Sequence, residues 1–206
     1  MKTFKQFLKE AKQLKEDSSK YKPGEFGYEW TVIKGSEDLE GKVYKGDLEI
    51  YNNQKITSLR GCPKEVTGSL KCQNIGITSL EGCPEKVGRN FYCDENKLTS
   101  LKGGPKEVKG EYSCSENKLT SLEGAPEKVA AFNCAGNRLK DLKGAPKEIT
   151  GWDFICCDNP LVSLEGLPRK IERNLELPDI KSFGGEDAIN KLSQIDGDIK
   201  KNSIYR

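Results

Sequence analysis

The sequence predicts an elongated solenoid of stacked repeats with a parallel β-sheet along one side, and three observations predict it. Prolines recur at Pro63, Pro84, Pro105, Pro126, Pro146 and Pro168, in steps of 21, 21, 21, 20 and 22 residues. Leu59, Leu80, Leu101, Leu122, Leu142 and Leu164 march in the same rhythm, as do Cys72, Cys93, Cys114, Cys134 and Cys156. A fixed period of this size marks a repeat architecture, in which each unit buries its apolar side only against its neighbours. The third observation is a hydrophobic fraction of 34% in 206 residues, low for a compact globule but suited to an array that exposes much of every unit.

From the N-terminus, "MKTFKQFLKEAKQLKED" places Phe4, Phe7, Leu8, Ala11 and Leu14 at helical spacing, with Lys2, Lys5, Lys9, Lys12 and Lys15 largely elsewhere around the turn. This predicts an amphipathic basic helix, followed by polar "EDSSKYKPGE", so that residues 1–20 read as a leader and linker. The segment lacks the apolar core of a secretory signal, and no run approaches the 18 apolar residues of a membrane span. Residues 21–46 read as an N-terminal cap, with strands in "YEWTVI" and "KVYKGDLEIY" around the turn-rich "KGSEDLEG". The array occupies 47–178. In it the pairs Leu70/Cys72, Phe91/Cys93, Tyr112/Cys114, Phe132/Cys134 and Phe154/Cys156 read as strands with two inward side chains each. Residues 179–206 read as a C-terminal cap with a short helix in "GGEDAINKLSQIDGDIKK".

Written out, the unit is apolar-x-Cys-x-x-Asn-x-Leu-x-x-Leu-x-Gly-x-Pro-x-x-Val, over about Asp47 to Pro178. It resembles the leucine-rich repeat, in its short, proline-containing bacterial form. The resemblance implies a parallel sheet on a concave face and a mostly irregular convex side. It also implies a hydrogen-bonded ladder of Asn96, Asn117, Asn137 and Asn159, with Gln54 and Ile75 departing from it in the first two units.

The eight cysteines come with no histidine and with one cysteine per unit in the main column, which suits neither a metal site nor disulfides and reads as a column of small buried residues. Cys62 and Cys83 share a slot with Gly104, Ala125 and Ala145, and Cys157 is expected to point outward. No cofactor is called for. Without histidine, a nucleophile beside a base or a phosphate-binding loop, the chain does not read as an enzyme.

Lys plus Arg total 34 and Asp plus Glu 32, a net charge of +2 that gives no reason to expect nucleic acid as partner. Local placement says more. The outward strand positions carry Asp47, Glu49, Asp94, Glu111, Asp153 and Glu176 against a single Lys71, with Tyr51, Tyr92 and Ile155 as apolar spots. These ten residues predict a negative stripe suited to a protein partner with a basic surface.

"MKTFKQFLKEA" in turn resembles the capsid-targeting leader of internal head proteins of T-even-like tailed phages, which a prohead protease removes after Glu in a Leu/Ile-x-Glu context. The resemblance implies processing at Leu8, Glu10 and Ala11 or at Leu14 and Glu16, with contacts to the protease or scaffold. It implies a head protein acting on a host or defence protein after ejection, in the virion interior or the bacterial cytoplasm. The alternative expectation is a cytosolic interaction module whose N-terminal helix docks on a partner or a membrane surface.

Overall fold

The computed structural model describes residues 2–3, 5–6, 39–50, 56–179, 181–191, 194–196 and 198–201. Its spine is an eight-stranded parallel sheet in chain order. The strands are Leu48–Glu49, Leu70–Lys71, Phe91–Tyr92, Glu111–Ser113, Ala131–Asn133, Phe154–Ile155, Leu175–Leu177 and Ile199–Lys201. The rungs are in register: Leu70 stands beside Phe91, Phe91 beside Tyr112, Phe132 beside Phe154. Each cysteine amide donates across the rung, from Cys72 to the Tyr92 carbonyl at 2.8 Å and from Cys114 to that of Asn133 at 2.8 Å.

The leucine-rich-repeat horseshoe expected from the sequence is overturned by what lies behind this sheet. The "PKEV" segments, read as an irregular convex return, are strands as well. Val43–Tyr44, Glu65–Val66, Lys86–Val87 and Glu107–Val108 form one four-stranded parallel sheet, and Lys128–Val129, Glu148–Ile149, Lys170–Ile171 and Gln194–Ile195 form another. Backbone bonds such as Lys64 N–H to the Lys42 carbonyl, 2.8 Å, repeat from unit to unit along this side. The fold is therefore a β-solenoid of stacked parallel sheets with almost no helix among the described residues. The physical reason is the β-branched residue that follows each proline. Val66, Val87, Val108, Val129, Ile149 and Ile171 are all buried, and β-branched side chains stacked at one-rung spacing favour extended backbone.

At the chain start, Lys5 and Gln6 are helical, with the Gln6 N–H donating to Thr3 Oγ1 at 3.2 Å and the Thr3 N–H to Gln6 Oε1 at 2.9 Å. Lys2–Thr3 is a strand, paired in parallel with Ile56–Ser58. Lys2 and Thr3 thus pair with the first unit of the solenoid, and a helical turn begins directly after them. Leu8, Glu10, Ala11, Leu14 and Glu16 lie outside the described residues, as do Tyr51 and the expected strand at 28–33. At the other end a short helix, Glu186–Asn190, places Ile189 in the core, and strands rather than further helix follow it.

Between the sheets lies one continuous core. The aromatic column is in mutual contact: Phe91 meets Tyr112 edge-on at 4.9 Å, Tyr112 meets Phe132 at 5.4 Å, and Phe132 stacks on Phe154 at 5.9 Å. The asparagine ladder satisfies the turn that leaves each face strand. Asn117 Nδ2 donates to the carbonyls of Cys93, Cys114 and Ser115 at 3.0, 3.1 and 3.0 Å, while its Oδ1 accepts from Leu98 N–H at 3.0 Å. Asn96 does the same one rung earlier and serves Ile75 and Ile77, so the unit that carries Ile75 at the ladder position is satisfied by its neighbour. Gly82 has φ +83°, and a Cβ there would fall 2.4 Å from Arg60 Cα, so both backbone angle and rung spacing demand glycine.

Outer surfaces carry ion pairs that step from rung to rung. Lys86 meets Glu107 at 3.3 Å, Lys102 meets Glu123 at 2.9 Å, Lys128 meets Glu148 at 3.2 Å and Lys143 meets Glu165 at 2.8 Å. All are solvent-exposed and screened by water, so they add little to stability.

Candidate binding face

A strand pointing Phe and Cys inward must present the intervening residue outward. Glu49, Lys71, Tyr92, Ile155 and Glu176 accordingly stand on the outer face of the eight-stranded sheet, half-buried. Asp47, Glu111 and Asp153 stand on that face where the chain enters its rungs. The structure does not gather all of these together. Asp47, Glu49 and Lys71 form one group at the N-terminal end, where Lys71 Nζ lies 3.9 Å from Glu49. Asp47 is partly a structural residue there, its Oδ1 accepting the Ser69 N–H at 2.6 Å.

The second group is tighter. Asp94 is only 6% exposed and is held by neutral donors. Gln73 Nε2 reaches Oδ2 at 3.0 Å, while the Ser115 N–H at 3.0 Å, its hydroxyl at 2.9 Å and the Ser113 hydroxyl all reach Oδ1. Donors of this kind fix a charge without neutralising it. Beside it, the Tyr92 hydroxyl donates to Glu111 Oε2 at 3.2 Å and accepts from Asn90 Nδ2 at 2.9 Å, and Asn90 Oδ1 caps the Glu111 N–H at 3.0 Å. Burial pushes the Glu111 carboxyl above its ordinary range, opposed by the Tyr92 hydroxyl and reinforced by Asp94. Burial, and then the neighbouring Glu111, push the Tyr92 phenol up as well.

Asn90 and Glu111 border a cleft of about 400 Å³, lined also by Gly110, Ala131, Phe132, Asn133, Trp152, Asp153 and Ile155, with the Phe132 ring itself turned into the core beneath it. The cleft exists because its unit, "VAAFNCAGN", is built from small residues. Ala131 stands in register with Glu111, and Asp153 occupies the same column one rung further on. Two carboxylates thus flank an alanine, with backbones two rungs apart, roughly 9–10 Å. Asp153 is held in place by Asn174, whose N–H and Nδ2 both donate to Oδ1, at 3.1 and 3.0 Å. Trp152, 58% exposed, forms one wall, and the Arg173 guanidinium lies 4.8 Å from its ring centroid.

Trp152 is the residue that sequence reasoning missed. The available signal was an aromatic residue one position before Asp153, where the preceding units carry Gly68, Arg89, Gly110 and Ala130. Cys157 corrects an expectation in the other direction: it is 6% exposed, and burial together with Asp158 pushes its thiol up to about 11. Alkylation of the folded protein at pH 7 should therefore leave Cys157 unmodified, as peptide mass mapping would show.

Among the described residues no cluster of three or more cysteine or carboxylate side chains is arranged to hold a metal ion, and no helix is long and apolar enough to cross a membrane. No family model, curated protein or solved structure matches this chain. The resemblances to leucine-rich repeats and to phage head leaders fall on these findings: the repeats close into a β-solenoid, the chain start is a strand of it, and no related protein links the segment to capsid targeting. The head-packaging function and its membrane-docking alternative fall with them.

Proposed function

We propose that the protein is a non-enzymatic binding module whose eight-stranded face takes a basic segment of a partner protein, seated over the Ala131 cleft. The observation that carries this reading is the cleft itself: Glu111 and Asp153 flank a gap of small side chains beside the Trp152 ring. An arginine or lysine in that gap lies within reach of both carboxylates, and its apolar stem rests on Ile155 and Ala131. Arg173 on Trp152 demonstrates within the chain that this ring accepts a guanidinium.

The test is fluorescence anisotropy with a labelled arginine-glycine repeat octapeptide, against a glutamate-glycine control. Combining Glu111→Gln with Asp153→Asn keeps the acceptors used by Tyr92 and Asn174 and removes both charges. Two half-buried charge contacts contribute about 1–2 kcal/mol together, so the double variant is expected to bind roughly 5–30-fold more weakly. Equal binding by the two proteins would sink the proposal. Because the ligand favours the ionised carboxylate, affinity should also fall as pH is lowered through the raised pKa of Glu111, and the Gln variant should lack that part of the profile.

A further inference from the structure

We propose that the partner seated on the Ala131 cleft is a second copy of this chain, which presents to it a ridge of cations formed by Lys97, Lys118 and Arg138. This rests on the reading of the cleft as a site for basic side chains, and it names the surface that supplies them. The ridge lies on the side of the coil that follows the asparagine ladder. Each of its residues stands one place after a ladder asparagine, and their N–H groups donate to the carbonyls of Ile77, Leu98 and Leu119 in the preceding units, all at 2.9 Å. They are therefore equivalent positions on successive rungs. All three are exposed, as is Lys140 two places beyond Arg138.

What sets the ridge apart is that its charges do not alternate. The adjacent outer column changes sign at every rung, so that Arg60 pairs with Glu81, Lys102 with Glu123 and Lys143 with Glu165. The ridge keeps one sign over three rungs roughly 4.8 Å apart, an arrangement in which like charges repel. Among the described residues none of the three is paired with a carboxylate. Glu95 and Glu116 precede Lys97 and Lys118 by two positions, but they sit at the left-handed corner of the coil, and the Glu116 carboxylate lies over Gly136 of the next unit. Asp141, beyond Lys140, is held by Lys143 at 3.8 Å. Nothing within the chain offsets the ridge, so a partner of opposite charge relieves it.

The ridge and the cleft match in sign and in spacing. Glu111 and Asp153 flank Ala131 at two rungs' separation, and Lys97 and Arg138 flank Lys118 at the same separation, roughly 9–10 Å in both cases. With two solenoids side by side and their axes aligned, Lys97 and Arg138 face the two carboxylates while the Lys118 stem lies over the alanine. The ridge is also held in place by backbone bonds, so it brings its charges to the cleft with less ordering cost than a flexible basic segment. Cleft and ridge lie on different sides of the coil. The contact is therefore heterologous, and each copy can engage two others.

Sedimentation velocity of the full-length protein tests this. In about 0.1 M salt the wild-type sedimentation coefficient should rise with protein concentration, and in about 1 M salt, where the screening length falls to about 3 Å, the rise should vanish. Two variants carry the decisive comparison. Lys97→Glu with Lys118→Glu and Arg138→Glu removes the ridge, while Glu111→Gln with Asp153→Asn removes the charges of the cleft. Each alone should associate about tenfold more weakly than the wild type or worse. An equal mixture of the two should form a heterodimer, because one still supplies the cleft and the other the ridge. The ridge variant should bind the arginine-glycine octapeptide as the wild type does, and the octapeptide should dissociate wild-type oligomers. A wild type whose sedimentation does not depend on concentration, or a mixture that stays monomeric, would overturn the proposal. If the octapeptide still binds in that case, the reading of the cleft stands and only the identity of its partner falls.

Discussion

Replacing Asn117 by alanine should destabilise its stretch of the solenoid by about 3–5 kcal/mol, among the largest losses available to a single polar side chain in this protein. The residue is 8% exposed and satisfies four backbone groups at once, the carbonyls of Cys93, Cys114 and Ser115 and the N–H of Leu98. Alanine leaves those groups buried in a space too apolar to replace the amide, and an orphaned buried group costs about 1–3 kcal/mol. Asn117→Asp should be worse, since an ionised carboxylate can serve Leu98 but donates nothing to the three carbonyls. The diagnostic readout is hydrogen exchange at the Leu98 amide, which should lose protection in Asn117→Ala before the distant Phe154–Ile155 strand does. Unchanged Leu98 exchange would show that the ladder contributes little.

That ladder was legible in the sequence because a polar residue recurring three places after a buried cysteine has few physical uses. The inward column was legible for the same kind of reason: Phe91/Cys93 and its counterparts alternate with period 2. The rear sheets were not, because each unit commits only one inward residue there, as at Val66 or Val87, and a strand of two residues shows no alternation. Such strands are defined by bonds between units 21 residues apart, which no local pattern reveals. The strand at Lys2–Thr3 was hidden for a related reason: two residues show no alternation, and only their partner at Ile56–Ser58 defines them, while the helical spacing that follows is met at Lys5 and Gln6.

The face was half legible. Outward alternation correctly indicates the sides of Tyr92 and Ile155, but it stops where the strand stops. Beyond that point the chain turns through left-handed residues, Glu95 at φ 54°, Glu116 at φ 51° and Asp158 at φ 53°, and glutamate, unlike aspartate, carries no signal for such a conformation. Asp94 and Cys157, which fall just before those turns, are consequently buried although a simple alternation directs them to solvent. The cleft escaped notice because it is made by what is missing. Ala130, Ala131, Ala135 and Gly136 form no motif, and only in the stack does their smallness become a gap between Glu111 and Asp153.

The aromatic column beneath that gap should give effects of opposite sign at adjacent rungs. Phe132→Ala is expected to cost about 3–5 kcal/mol, because the ring is fully buried between Tyr112 and Phe154 and two flanking rungs fixed by backbone bonds cannot collapse into the cavity. One rung earlier, Tyr112→Phe should stabilise by about 1 kcal/mol. The Tyr112 hydroxyl is buried without a hydrogen-bond partner, and deleting it removes an unmet desolvation cost while keeping the ring contacts. The same hydroxyl explains why the small-residue slot shrinks to Gly104 in this unit: a Cβ there would lie 3.0 Å from it. Gly104→Ala should therefore be tolerated better in the Tyr112→Phe background than alone, a coupling that a double-mutant cycle in urea reads directly. Additive effects would place the strain at Leu80, whose Cδ1 lies 2.9 Å from the same point, rather than at the tyrosine.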